Sequence, residues 1–211
     1  MVAVPAATRS GGIPAQGWAR VALVLQGLHR TAHAIILVEL AEHGNLAIDW
    51  GRKDYWWNGA PATFPTDPTV VSVRMMRGED AELPFMLEAP APLEPLLWMI
   101  GLLAFPTSPA WWLTEDARYR AIRWPNYTVI DHTPEQMRMT AMLGGAPMTA
   151  QELAASAGVE LGDAQQLVNA LGLLGLLREV PITESDAPVI VAEAPTQRKG
   201  LFARLRARLA G

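Results

Sequence analysis

Residues 133–180 carry the strongest local signals in the chain, because the ends of two helices can be placed there from capping residues alone. Thr133, followed directly by a proline, is typical of a helix N-cap. We expect this first helix to end at the glycine pair that begins with Gly144. Thr149 stands three residues before Glu152, which is the spacing of a capping box and predicts the start of a second helix.

A third helix is predicted from about Gly162 or Asp163 to Leu174, since apolar side chains recur there at i, i+3, i+4 and i+7. Residues 176–180 follow as a predicted strand. The stretch MTAQELAASAGVELGDAQQLVNALGLLGLLRE, residues 148–179, resembles the two helices and the entry to the wing in winged-helix modules. With the helix before it, the resemblance extends over residues 133–180, about a quarter of the chain. It implies a winged-helix-like fold and, as a first expectation, DNA binding through the third helix.

The charges of this segment argue against direct DNA reading. The third helix offers the amide side chains of Gln165, Gln166 and Asn169, but it has no basic residue. Residues 126–180 contain two basic side chains against six acidic ones, and that balance repels a polyanion. We therefore interpret 126–180 as a module for protein contacts or dimerisation, with these three amides as candidate contact residues.

The preceding residues, 17–125, predict a domain with a mixed α/β sheet. The run at 35–38 is rich in branched side chains and favours a buried strand, although its length also allows a helix. Residues 46–57 alternate around a polar turn and indicate a hairpin. Further predictions are strands at 70–76, 110–114 and 119–124 and a helix from 93 to 105. The predicted fold class is α+β: this sheet domain, then the winged-helix-like helical domain, then an amphipathic tail.

Eight tryptophans are many for 211 residues, and most are expected to fill the core. Two adjacent pairs, Trp56-Trp57 and Trp111-Trp112, suggest more. Neighbouring side chains on a strand point to opposite faces, so one member of each pair is expected to face away from the core. Because tryptophan is enriched at protein interfaces, we interpret the pairs as candidate protein-contact residues.

The charge is concentrated at one end of the chain. From Arg198 onward there are five basic and no acidic residues, whereas the rest holds 12 basic and 21 acidic side chains. Residues 1–16 are expected to be a flexible leader without a secretory signal, and 181–197 a linker rich in proline and acidic side chains. The tail at 198–211 is expected to dock in a partner's groove, to lie on an anionic membrane, or to be a solubilising terminus. Its candidate anchors are Arg198, Lys199, Leu201, Phe202, Arg204, Leu205, Arg206, Arg208 and Leu209.

The motifs of common enzyme classes are missing from the sequence. The chain has no cysteine, and it contains no phosphate-binding loop, dinucleotide fingerprint or nucleophile elbow. His29 and His33 have helical spacing for two metal ligands, but a credible metal site needs three or four. We expect no catalytic residues, no metal and no cofactor.

The resulting hypothesis is a non-catalytic signalling or regulatory adaptor that works through protein–protein contacts in the cytoplasm. Its tail would dock to a protein partner or a membrane surface. The alternatives are a transcriptional regulator that binds DNA weakly as a homodimer, and a small ligand-binding protein or enzyme that uses the tryptophan-rich domain. Arginine outnumbers lysine 15 to 2, a usage typical of a bacterial origin.

Overall fold

The computed structural model describes residues 16–30, 33–41, 43–59, 64–67, 71–76 and 89–181, which all belong to one unit ending at Pro181. Helices and antiparallel strands are both present, which confirms the α+β class. The elements in chain order are α1 (Gly17–Gly27), a 3-10 turn (Leu28–Arg30), β1 (Ile35–Leu40), β2 (Gly44–Asp49), β3 (Asp54–Trp57), β4 (Val71–Met76), β5 (Ala91–Pro92), α2 (Leu93–Leu103), β6 (Arg118–Ala121), α3 (Pro134–Gly145), α4 (Ala150–Ala157), α5 (Leu161–Leu173) and β7 (Leu177–Val180).

The larger sheet has five strands in the order β4-β1-β2-β3-β5, and all neighbours are antiparallel. β1 pairs with β2 on one side and β4 on the other, which settles the strand-or-helix alternative for residues 35–38 in favour of a strand. The hairpin predicted over 46–57 is confirmed as β2 and β3. Its turn places Lys53 in the left-handed region, at φ 63°.

One face of this sheet forms a core with α1 and α2. The apolar run LLWMIGLLAF belongs to α2 and the residues that follow it, and it is largely buried in the protein. In the described ranges no helix has both the length and the apolar character to cross a membrane. Fully buried side chains of this core are Val21, Leu25, Ile36, Val38, Leu46, Ile48 and Ile100.

The helices α3, α4 and α5 enclose a second core. Both predicted N-caps are confirmed: Thr133 accepts from the backbone N–H of Gln136, and Thr149 accepts from that of Glu152. In each case the side chain three residues later accepts a hydrogen bond from the backbone N–H of the threonine, so both helices begin with a complete capping box. Fully buried members of this core are Leu143, Leu153, Ala164, Leu167, Ala170 and Leu171.

A two-stranded antiparallel sheet of β6 and β7 borders this second core. Tyr119 of β6 also forms a bridge to Met148, which lies between α3 and α4. The predicted domain border after residue 125 falls between β6 and α3, so β6 pairs with a strand from beyond that border. The strand predicted at 176–180 is confirmed as β7.

The two cores meet where α2 crosses α5. Ile100 of α2 belongs to the first core, whereas Trp98 of the same helix belongs to the second. At the crossing, a Cβ placed on Gly101 would lie 2.4 Å from Cα of Ala170. The absence of a side chain at Gly101 therefore allows the two helix backbones to approach this closely.

The strand predicted at 110–114 is wrong. Residues 111–113 form a turn, and the strand predicted at 119–124 is shorter, since β6 ends at Ala121. Residues 110–114 do not form a strand because the backbone N–H of Ala110 bonds to the side chain of Asn169 on α5.

Candidate protein-contact site

The predicted contact residue Asn169 holds a loop of its own chain. Its side chain is fully buried on α5. The amide nitrogen donates to the backbone oxygens of Phe105 and Ser108, each at 3.0 Å. The amide oxygen accepts from the backbone N–H of Ala110 at 2.9 Å. Burial therefore removes Asn169 from the predicted contact surface and makes it the clamp of the loop 105–117.

The other two predicted amides of α5 also bond within the chain. Gln166 donates to the backbone oxygen of Pro106 at 3.2 Å. Gln165 donates to the side-chain oxygen of Asn169 at 3.1 Å. Both are half-buried. Two of the three amides that a DNA-reading helix would present to base edges, Gln166 and Asn169, are thus engaged with the loop 105–117, and the third, Gln165, bonds to Asn169.

The far end of the loop 105–117 is fixed by a second set of bonds. The Tyr119 hydroxyl accepts from the backbone N–H of Thr114 at 2.7 Å and donates to the backbone oxygen of the same residue at 3.1 Å. The Thr114 hydroxyl donates to the Glu179 carboxylate at 3.1 Å. Burial raises the pKa of the Tyr119 hydroxyl above its ordinary value. Although it contains no regular element, the loop is held at both ends.

Between this loop and the N-terminal ends of α4 and α5 lies a groove of about 320 Å³, here called the loop groove. Its apolar walls include Leu113, Leu161 and Val168, and Leu161 is 53% exposed. Glu115 and Asp116 stand at its rim, and Asp116 has a left-handed backbone at φ 59°. The full lining is Thr107, Pro109, Leu113, Thr114, Glu115, Asp116, Ala117, Tyr119, Ala150, Gln151, Leu161, Gly162, Gln165 and Val168.

The tryptophan pairs differ in their exposure. Trp111 is 52% exposed and has an edge contact with the Phe105 ring at 5.6 Å. Trp112 is half-buried and also has an edge contact with the Phe105 ring, at 5.5 Å between ring centroids. In β3, Trp56 is buried at 6% exposure and Trp57 is half-buried against Phe64. The reasoning from strand alternation was incomplete for β3, because both faces of the sheet are covered at this point.

Sequence reasoning missed a set of exposed apolar side chains after β6. Trp124 is 49% exposed and packs edge-on against Tyr127 at 6.0 Å. Ile122, Val129 and Met137 are likewise exposed. Most of these residues lie in irregular segments, where neither a helical nor a strand period marks the outward side. The one sequence feature that could have indicated this surface is Trp124, which is not part of a Trp-Trp pair and is followed directly by a proline.

The histidines form no metal site in the described ranges, where no three histidine, aspartate or glutamate side chains come together to hold an ion. His29 instead lies 2.9 Å from the backbone oxygen of Leu173 through its Nε2 atom. Its ring meets Trp50 edge-on at 5.2 Å, and the Lys53 ammonium lies over the same indole, 3.4 Å from the ring centroid. Burial is the main cause that lowers the pKa of His29, and burial also lowers the pKa of Lys53.

All but the last residue of the predicted leader at 1–16, most of the linker at 181–197 and the whole tail at 198–211 lie outside the described residues. The candidate anchors Arg198, Lys199, Leu201, Phe202, Arg204, Leu205, Arg206, Arg208 and Leu209 therefore remain predictions from the sequence.

Comparison with known proteins finds no matching family model, curated protein or solved structure. The chain's function must therefore be argued from its own geometry.

Proposed function

We propose that the protein is a non-catalytic signalling or regulatory adaptor whose contact surface is built from the loop 105–117 and the exposed side chains that follow it. The observation that carries this proposal is the concentration of exposed large apolar residues. In the described part of the chain there are nine, and six of them lie between Trp111 and Leu161. Two of these six are tryptophans, and tryptophan is among the residue types most enriched in the energetic hot spots of protein interfaces.

The rigidity of the loop 105–117 supports the same proposal. Ordering a mobile loop on binding costs free energy for each side chain and backbone segment that becomes fixed. The hydrogen bonds from Asn169 and Tyr119 already order the loop in the free protein, so little ordering remains to be done on binding. Trp111 is therefore presented from a pre-organised backbone, as an interface anchor requires.

A winged-helix-like arrangement of residues 126–180, to which the upstream strand β6 adds, is part of the proposal. Three helices followed by β7 support it, together with the bridge that joins Met148, between α3 and α4, to Tyr119. The strand that pairs with β7 is β6, which precedes the three helices in the sequence. Since the three predicted amides of α5 all bond within the chain, this module is proposed to bind protein and not to read DNA.

The remaining parts of the proposal rest on the sequence. The tail at 198–211 would tether the adaptor to a protein partner or to an anionic membrane surface, and the protein would act in the cytoplasm. The five basic side chains and the leucines of the tail suit either surface.

Quantitative affinity capture from native lysate tests this function. The full chain is compared with a Trp111→Ser/Trp124→Ser double variant and with a Leu23→Ser/Met75→Ser variant, which removes exposed apolar side chains elsewhere. We expect a partner that binds the wild type and the control but is lost by at least tenfold from the double variant. A chain ending at Gln197 separates contacts of the tail from contacts of the folded part. A partner retained equally by the double variant would contradict the proposed surface, and the capture of none would contradict a constitutive adaptor.

A further inference from the structure

We infer that the loop groove binds a positively charged peptide segment of a partner protein, anchored by one or two aliphatic side chains. This inference rests on the proposed function and names the chemistry of the partner. The groove combines an apolar interior with a rim of one charge sign, and these two properties specify what can enter it.

The charge of the rim comes from Glu115 and Asp116. Both side chains are exposed, and neither has an ion-pair partner among the described residues. The lining of the groove contains no lysine, arginine or histidine. The nearest arginine in the chain, Arg118, is already paired with the Glu152 carboxylate. Two unpaired carboxylates thus favour a cationic ligand and repel nucleic acid and anionic lipid headgroups.

The helix ends at the groove do not reverse this sign. The N-termini of α4 and α5 each contribute at most about half a positive charge. At α4 the capping box of Thr149 and Glu152 already satisfies terminal backbone donors. At α5 the first turn contains Asp163, whose carboxylate offsets the dipole. The two full charges of the rim therefore dominate the local field.

The apolar walls set the size of the anchor. At about 320 Å³ the groove lies at the lower end of the range of roughly 300–1,000 Å³ that is usual for ligand sites. This volume suits one or two aliphatic side chains and excludes a whole helix. Leu161 is 53% exposed and Leu113 is half-buried, so an anchor lying against them would remove apolar surface of both from water, above the buried Val168.

Fluorescence anisotropy with two labelled peptides tests the inference on the full chain. The probe is Leu-Arg-Arg-Leu-Ala-Arg-Arg-Leu, and its counterpart has glutamate in place of every arginine. We expect the arginine peptide to bind, more weakly as salt rises, and the glutamate peptide not to bind. A Glu115→Gln/Asp116→Asn variant should weaken binding by roughly 2- to 30-fold, because exposed pairs contribute about 0.2–1 kcal/mol each. Leu161→Ser should weaken it by about fivefold.

The matched control is a Glu135→Gln/Asp67→Asn variant, which changes the net charge equally at exposed positions outside the groove lining. It should alter binding by less than twofold. Equal binding of both peptides, equal weakening by the control, or no binding of either peptide would overturn the inference. None of these outcomes bears on the Trp111/Trp124 capture experiment, so the proposed function can stand or fail separately. If sedimentation shows a dimer that Leu161→Ser dissociates, the groove takes a second copy of the chain, which would also overturn the inference.

Discussion

Replacement of Asn169 by alanine should remove the hydrogen bonds that hold the loop 105–117 in its conformation. The side chain is fully buried and bonds three backbone groups, the oxygens of Phe105 and Ser108 and the N–H of Ala110. Phe105 and Ala110 are themselves buried, whereas Ser108 is exposed. Alanine at 169 therefore leaves one donor and one acceptor without a partner in the interior, while water replaces the third bond.

The size of the effect follows from these two buried groups. A buried backbone group that loses its partner costs about 1–3 kcal/mol, and a small hydrated cavity would recover part of that cost. We expect the free energy of unfolding to fall by about 3 kcal/mol. For a folded region of this size the melting temperature should then fall by roughly 6–12 °C. Gln166→Ala removes one half-exposed bond in the same region and should cost less than about 0.5 kcal/mol.

Urea unfolding followed by far-UV circular dichroism measures both variants against the wild type. The Asn169→Ala midpoint should shift strongly at unchanged slope, and iodide should quench tryptophan emission more efficiently as the loop opens. A loss below 1 kcal/mol, or equal losses in the two variants, would refute the reasoning that buried, satisfied bonds fix the loop.

Three further predictions test other parts of the fold by the same urea assay. Gly101→Ala should destabilise the fold by roughly 1–2 kcal/mol, because its Cβ would lie 2.4 Å from Cα of Ala170. Gly162→Ala is the control: a Cβ there has its nearest atom at 3.7 Å, so the variant should stabilise α5 by up to about 1 kcal/mol. The reversed order of stabilities would contradict the close crossing of α2 and α5. Thr149→Ala should cost about 1 kcal/mol through loss of the capping box, and no loss would mean that the cap is dispensable. The lowered pKa of His29 means that the unfolded chain binds a proton more readily, so stability should decrease as pH falls below about 6.5, and His29→Gln should flatten this dependence; an unchanged slope would refute it.

The parts of the fold that the sequence predicted correctly are those specified by neighbours in the chain. Thr149 marked its helix by the capping-box spacing to Glu152, and Thr133 marked its helix by the proline that follows it, so neither needed tertiary information. The period of α5 and the turn between β2 and β3 are similarly local. The strand β1 was ambiguous because only its pairing with β2 and β4 excludes a helix, and that pairing reaches Val71–Met76.

The site was less predictable because its contacts are long-range. The run Trp111-Trp112-Leu113 has the composition of a strand, yet it forms a turn because Asn169, 59 residues after Ala110, takes the N–H that a strand would use. The tryptophan pair in β3 was expected to expose one ring, but burial on both faces of a sheet is a property of the layers and not of the strand.

The engagement of α5 with its own chain bears directly on function. A surface helix that reads DNA keeps its polar side chains free and surrounds them with basic residues. Here Gln165, Gln166 and Asn169 bond inward, and α5 contains no lysine or arginine. Those bonds fix a loop that carries an exposed tryptophan and an acidic rim. Under the proposed function, the loop 105–117 therefore contacts the partner in place of α5. Substitutions that break the bonds holding this loop should abolish partner binding even when every exposed side chain is intact.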